Sequence, residues 1–487
     1  MKLTTRILCV FMALLMCMSI VVACQKSDSG AKVEDATTTL PVTTPVPVNT
    51  TPAVTDPKVT LAPPVTLDTT TYQAALTTSF RDNLKFDLTA DIPSDGVITT
   101  AAQLQAVLTN GAANANYTVN AKELDCAGLG WEGLKNYSGT FDFAGCVVKN
   151  ASCPMFLSVK NGTVKNLTIA ESKYNYNDTD SEKDSPIVPG QAARIYYAPV
   201  VSYLNGGTVD NIVIESSVEM NTSIFAKYAG IGGIVGWAKG TNMTISNCTF
   251  KGKFYTDSGA GYFGGIVGNY EGTSYSFNKN NPENSNAKII NCTNYGSVTE
   301  EDNSNDSKLG GIAGGIVNSA VIRCANYGTI TSGNSGQTAG VVAYVYQNIG
   351  VVYCLNAGTV KVENRGGGIC AYSNGSNKWF YGCVNVGKIT STSGTGAGLV
   401  ALARSKEIFE NCCNYNRNAA VAIRNVNEKT VALGSKPTNV ESLTVTNCHA
   451  FGDLAKLYES VSSSCPGVFA YDAATQTMSI PTAKTVN

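Results

Sequence analysis

A short cysteine-centred unit recurs along the chain, and it restricts what the chain can fold into. It reads Ile290-Asn291-Cys292-Thr293-Asn294-Tyr295-Gly296-Ser297-Val298, then Ile322-Arg323-Cys324-Ala325-Asn326-Tyr327-Gly328-Thr329-Ile330. Further copies centre on Cys354 and Cys383, and a degenerate one on Cys412. Successive cysteines lie 32, 30, 29 and 29 residues apart. Looser members surround Cys248 and Cys448, and Val164–Ile169 and Val209–Ile214 look like the same strand without cysteine. A second block alternates with the first: Gly232-Gly233-Ile234-Val235-Gly236, Gly264-Gly265-Ile266-Val267-Gly268 and Gly310-Gly311-Ile312-Ala313-Gly314. Later copies are Ala339–Ala343, Gly367–Ala371 and Ala397–Ala401.

Each unit therefore holds at least two short β-prone runs separated by Gly, Asn and Ser turn residues. No helical periodicity occurs inside the units, so a period of about 30 residues reads as one coil of a solenoid. Stacked coils superimpose equivalent positions at ~4.8 Å. The stacking predicts an aliphatic ladder of Val298, Ile330, Val360 and Ile389. It predicts a thiol ladder of Cys292, Cys324, Cys354, Cys383 and Cys412. It also predicts an amide ladder of Asn294, Asn326, Asn356, Asn385 and Asn414, hydrogen-bonded rung to rung. The glycines after these asparagines are expected to turn the backbone through positive φ. The expected fold is all-β: a right-handed parallel β-helix, the hand following the usual preference of parallel crossovers. A propeller would need longer units with four strands each.

These Gly-Gly-Ile-Val-Gly and Asn-Cys-x-Asn-x-Gly runs resemble GLUG-motif repeats of bacterial surface proteins. The resemblance covers roughly residues 97–450 and extends to Ser138-Gly139-Thr140-Phe141-Asp142 and Asn161–Leu167 in the early coils. Its departures are the last three Gly blocks, which end in Ala, and insertions at about 175–195 and 270–287. It implies surface display and adhesion, and brings no catalytic residues. Thr99–Leu108 reads as a short amphipathic helix, with a capping box of Thr100 and Gln103 and a stop at Asn110-Gly111. Such a helix would cover the open first coil, whose strand edges would otherwise invite aggregation.

The amino terminus carries an address. Lys2 and Arg6 precede an apolar run from Ile7 to Val22, shorter than the ~20 residues of a membrane span. The pattern is that of a secretory signal. Val21-Val22-Ala23-Cys24 resembles a lipobox, which implies acylation of the Cys24 thiol and partnership with membrane lipid. Residues 1–23 are thus expected as signal peptide. Residues 24–71, rich in Thr and Pro, are expected as a disordered linker of extended polyproline character, reaching on the order of 140 Å. Residues 72–110 would form an N-terminal cap, 111–450 the β-helix and 451–487 a C-terminal cap or tail. The expected location is the extracytoplasmic side of a cell membrane.

Composition narrows the chemistry. Thirty-five basic and 36 acidic residues leave no basic footprint for nucleic acid. The single histidine, His449, excludes multi-histidine metal sites and argues against a catalytic triad. No CxxC pair suggests zinc, and no cofactor is implied. Past Cys24 the cysteines number 13. Their ladder spacing would allow disulfides, but small buried free thiols suit an inward ladder better. Asp142, Asp210, Glu300, Glu301 and Asp302 do not recur at coil spacing, and Glu300-Glu301-Asp302 reads as a solvated turn. Arg323 and Arg365 follow no pattern.

Aromatic residues carry the strongest binding signal. Tyr295, Tyr327 and Tyr415 share one repeat position, expected on the outside of a turn, while Tyr344–Tyr346 and Trp379–Tyr381 are expected in loops. Such rows stack on sugar rings or partner proteins, or else shield strand edges. The chain is expected to be no enzyme but a lipid-anchored adhesin for a glycan or a surface protein. The alternatives are a polysaccharide lyase or glycoside hydrolase on the same scaffold, and a structural spacer.

Overall fold

The computed structural model describes residues 83–177, 195–223 and 229–481, apart from short stretches at 258–259, 276–277, 279–280, 282, 302–305, 334–335, 393–394, 405, 416–417, 419–421, 426–429, 432–437 and 441–442. The signal peptide, Cys24, the linker and Asp302 lie outside these residues.

The strands between Val97–Ile98 and His449–Phe451 build a parallel β-helix. One full turn runs through Ala313–Val317, Ala320–Ile322, Ala325–Asn326, Thr329–Ser332 and Gln337–Ala339. The chain then returns as Val342–Tyr346, paired in parallel register with Ala313–Val317. The first three strand positions of each turn join one large sheet. The fourth forms a seven-stranded parallel ladder from Lys173–Asn177 to Lys388–Ser391, and the fifth a six-stranded one from Tyr196–Tyr197 to Arg365–Gly367. The strands that follow the insertions keep register with the coil before, Val201 opposite Phe156 and Ala287 opposite Met243, because backbone hydrogen bonds between coils align each strand with its predecessor; the register slips between Val400–Ala403 and Ile423–Asn425.

The ladders fill the interior. Val298, Ile330, Val360 and Ile389 stand in register, the first three fully buried. The amides of Asn294, Asn326, Asn356 and Asn385 each donate to the next coil's asparagine, at 2.7, 2.9, 2.8 and 3.1 Å, ending on Asn414. All five side chains are sealed from solvent. A buried amide is costly unless paired, and stacking identical residues gives each one a donor below and an acceptor above.

The two repeated blocks meet here. A Cβ on Gly311, Gly340, Gly368 or Gly398 would stand 2.5, 2.1, 2.3 or 1.8 Å from the Oδ1 of Asn326, Asn356, Asn385 or Asn414. The second glycine of each block thus makes room for the amide ladder.

The glycines after the asparagines do not adopt positive φ, which corrects that expectation. They are glycine for space: a Cβ on Gly328 would lie 1.9 Å from the Gly296 carbonyl oxygen, and one on Gly358 2.1 Å from that of Gly328. The left-handed turn falls instead on the residue before each cysteine. Asn247, Asn291, Arg323, Tyr353, Gly382, Asn411 and Asn447 all have φ between 48° and 60°. Asparagine tolerates that region best among residues with a side chain.

The following thiol donates back across this turn. From Cys248 to Cys448, each Sγ lies 3.1–3.7 Å from the carbonyl oxygen two residues earlier. All thirteen cysteines of the described region are free and buried.

Helix α1, Ala101–Asn110, has the expected capping box and buries Leu104, Val107 and Leu108 against the first coils. Gly111 ends it in extended backbone, φ −61°, not the left-handed form expected of an Asn-Gly stop; a Cβ there would meet the Val107 carbonyl oxygen at 2.5 Å. Strand Val97–Ile98 already pairs in parallel with Thr118–Val119, so the first rung begins before the helix. At the other end helix α2, Leu454–Ser464, and a hairpin of Ala470–Asp472 with Thr477–Ser479 follow the last coil. They fold back along its flank. Leu457, Val461, Phe469 and Met478 pack with Ala325, Leu355, Val384 and Cys413, which belong to four successive coils.

Candidate functional site

The segment that folds back meets the repeat tyrosines. Tyr327 and Tyr415 are half-buried beside α2 and the hairpin, and the Ile480 N–H donates to Tyr327 Oη at 3.2 Å. Burial pushes the Tyr327 phenol up, with the Ile480 N–H opposing. Tyr295 stacks on Tyr327 at 5.0 Å with a 12° interplanar angle and is 41 % exposed, the one ring of the three open to solvent.

A second aromatic series follows the outer corner where the six-stranded ladder meets the large sheet. One register column points outward there: Tyr203, and then the residue directly after each Gly block, Trp237, Asn269, Gly315, Tyr344, Tyr372 and Leu402. Tyr196 and Tyr262 join from the neighbouring ladder. Ring centroids connect Tyr196 to Tyr203 and to Trp237 at 5.1 Å, Trp237 to Tyr262 at 5.7 Å, Tyr262 to Tyr344 at 6.4 Å and Tyr344 to Tyr372 at 5.5 Å. The upper end is closed: Tyr196 and Trp237 are 1 % exposed. The lower end opens, with Tyr344 and Tyr346 half-exposed and parallel within 9°.

Cations gather on this series. The Lys308 ammonium sits 5.0 Å from the Tyr262 ring centroid and pairs with Asp306 at 2.8 Å. The Arg365 and Arg404 guanidinium groups lie 5.6 and 5.7 Å from the Tyr372 centroid. Such placement favours the cation because the ring face is electronegative.

Tyr344–Tyr346 and Trp379–Tyr381 lie on strands Val342–Tyr346 and Lys378–Tyr381, not in loops. Alternation sends Val345 and Phe380 into the core and the flanking aromatics outward. Trp379, Ile408 and Thr444, adjacent in register, line a shallow groove of about 420 Å³ together with Asn377, Lys406, Glu407 and Leu443.

The carboxylates are distributed differently. Lys149 pairs with Glu123 and Glu171, Lys165 with Asp142, Lys253 and Lys173 with Glu219, Lys251 with Glu215 and Lys239 with Glu271, across coils at 2.9–3.4 Å. Burial raises Asp142, but the Asn166 amide, the Ala144 N–H and Lys165 outweigh it and hold the carboxyl below its usual range. Asp210 accepts from Ser246 and Asn247 of the next coil at 2.6 and 2.8 Å. Glu300 is not in a solvated turn. It ends strand Ser297–Glu300 fully buried, accepting from Ser332 Oγ at 2.5 Å, while Glu301 accepts from Tyr255 Oη at 3.1 Å. Arg323 pairs with Glu283 at 2.6 Å. The His449 ring lies 5.8 Å from that of Phe451, tilted by 37°, and contacts Asn447 Oδ1 at 3.0 Å. Among the described residues no group of three or more His, Cys, Asp or Glu is disposed to hold a metal ion.

The outer corner was missed in sequence because its tyrosines and arginines belong to different strands of different coils. One signal was present: the aromatic residue immediately after three of the Gly blocks, at Trp237, Tyr344 and Tyr372.

No family model matches the chain, and no curated protein does. A solved structure from Bacteroides ovatus, provisionally described as an immunoglobulin A1 protease, is similar at 16 % identity, over 80 % of this chain and 92 % of that one, with a TM-score of 0.37. A likeness that distant carries no argument about activity.

Proposed function

We propose that this chain is a lipid-anchored surface protein of GLUG-repeat type, a non-enzymatic adhesin whose β-helix presents outward aromatic rings to a glycan. The observation that carries the reading is the open end of the outer aromatic series. Parallel half-exposed rings on a rigid sheet, Tyr344 and Tyr346 of one strand, offer flat apolar faces at low entropic cost. Exposed Tyr295 offers a second, smaller contact. The cross-coil ion pairs favour binding over hydrolysis: a glycosidase needs two carboxyl groups facing one bond, whereas here carboxylates lie beside lysines of neighbouring coils. The fold itself hosts many activities and does not choose among them.

The test is retention of the mature chain, carrying Cys24→Ser for solubility, on immobilised glycans, with the eluates analysed for cleaved products. Retention without cleavage, lost in Tyr344→Ala or Tyr295→Ala, supports the adhesin. Cleavage sinks it in favour of a lyase or hydrolase. Neither outcome leaves a spacer or a protein-binding role. Membrane partition of the wild-type chain, abolished by Cys24→Ser, tests the anchor separately.

A further inference from the structure

Arg365 and Arg404 share one ring and approach it from different elements. Arg365 opens strand Arg365–Gly367 of the six-stranded ladder. Arg404 follows Val400–Ala403, one coil beyond Tyr372. Their guanidinium carbons lie 5.6 and 5.7 Å from the Tyr372 centroid, hence within about 11 Å of each other, the sum of the two. Arg404 Nη1 also donates to Tyr372 Oη at 2.6 Å.

Both guanidinium groups sit by one ring, and among the described residues neither arginine forms an ion pair. Lys149, Lys165, Lys239, Lys251, Lys253 and Lys308 all do. Among the described residues the other charges along this corner include Lys308 with Asp306, Lys239 with Glu271, and the exposed Glu363, two residues before Arg365. Among the described residues neither arginine is paired with a carboxylate there.

Their positions are built in from beneath. The Arg404 N–H donates to the Ser373 carbonyl at 3.0 Å, and Ser373 Oγ donates to the buried Glu407 at 3.0 Å. Glu407 in turn pairs with Lys378 at 2.7 Å. Tyr372 is 8 % exposed and serves as the post that holds the two guanidinium groups. Tyr344 stacks on it at 5.5 Å and, with Tyr346, presents the accessible aromatic surface alongside. A planar guanidinium matches a carboxylate through two parallel N–H···O bonds. A flat sugar face beside it matches the tyrosines.

We propose that the cluster of Tyr344, Tyr346, Arg365 and Arg404 binds a carboxylated glycan, with sugar rings on the tyrosines and a uronate-type carboxylate between the arginines. The proposal rests on the glycan-binding reading above and specifies its substrate class.

The test uses the mature chain against oligosaccharides of polygalacturonate, alginate and hyaluronan, each beside its carboxyl-reduced neutral form, and against a sulfated heparin oligosaccharide, by calorimetry at low and high salt. At least one carboxylated oligosaccharide should bind at least tenfold more tightly than its reduced form, and more weakly in high salt. Arg404→Gln and Arg365→Gln should each remove most of that preference while unfolding at the wild-type temperature, and Arg404→Lys should retain part of it. Equal binding of acid and reduced forms overturns the carboxylate assignment and leaves the adhesin reading standing. Preference for the sulfated ligand also overturns it. Failure of every acidic oligosaccharide overturns the proposal, and the adhesin reading falls as well only if the immobilised neutral glycans are also not retained.

Discussion

Lys378 and Glu407 face each other across adjacent coils inside the β-helix, Nζ to Oε1 at 2.7 Å, with both side chains at 0 % exposure. They stand in the register column that Ile349 occupies one coil earlier. Burial pushes the Lys378 ammonium down, and Glu407 pulls it back up. The Gly375 carbonyl accepts from Lys378 at 2.7 Å, so the pair is also hydrogen-bonded to its surroundings.

Breaking one side of this pair should cost far more than removing both. Glu407→Leu or Lys378→Met alone strands a buried charge and should lose about 3–5 kcal/mol. The double variant should recover most of it, because two apolar side chains replace a pair that must repay its own desolvation. Urea unfolding of the four proteins closes the cycle; additive single losses would show that the two groups do not act together.

The middle of the amide ladder should be its most sensitive place. Asn356→Ala leaves the Asn326 donor and the Asn385 acceptor unpaired in the core and should lose about 2–4 kcal/mol. Asn294→Ala, at the end of the row, should lose roughly half as much. Gly368→Ala should also destabilise, since its Cβ would stand 2.3 Å from Asn385 Oδ1. Chemical denaturation ranks the three variants.

Stability should fall on the alkaline side. Burial holds the thiols of Cys248, Cys292, Cys383 and Cys412 well above their ordinary range, and pushes Cys126 and Cys413 up to about 12. Unfolded thiols ionise near pH 8.5. Above that pH the unfolded chain binds fewer protons than the folded one, so stability decreases. Each such thiol removes about 1.4 kcal/mol per pH unit until its folded value is reached. Thermal unfolding from pH 7 to 10.5 checks the slope. The native thiols should meanwhile resist Ellman's reagent until denaturant is added.

Deleting residues 452–487 should uncover a dry face. Leu457, Val461, Phe469 and Met478 leave with the segment, and Ala325, Leu355, Val384, Tyr327 and Tyr415 face water. The truncated chain should bind the dye ANS and self-associate, whereas Tyr327→Phe, which removes only the acceptor of the Ile480 N–H, should lose about 1 kcal/mol and remain monodisperse. Light scattering and dye fluorescence distinguish the two.

The repeat spacing was sufficient to read the coil, because one residue type at one position implies its own neighbour. That is how the Val298–Ile389 column and the Asn294–Asn414 hydrogen bonds were foreseeable from cysteines 29 to 32 residues apart. The backbone turn was assigned to the wrong residue. A glycine can mean positive φ or lack of space, and Gly328 and Gly358 are the second kind. Glu300 looked solvated because its neighbours are polar, while strand alternation turned its side chain inward.

What the sequence determined by itself was everything periodic, the parallel stack and the buried thiols and amides, together with the helix at the first coil, whose capping box is local. What only the tertiary structure decided was everything aperiodic. The return of α2 across four coils places Tyr327 and Tyr415 beside a packed helix and leaves Tyr295 exposed. The crossing of two sheets brings Arg365 and Arg404 to one ring. The physical reason is that periodic contacts join equivalent positions, which the repeat itself identifies. The flank and the corner join non-equivalent positions, whose meeting depends on where the backbone bends in space.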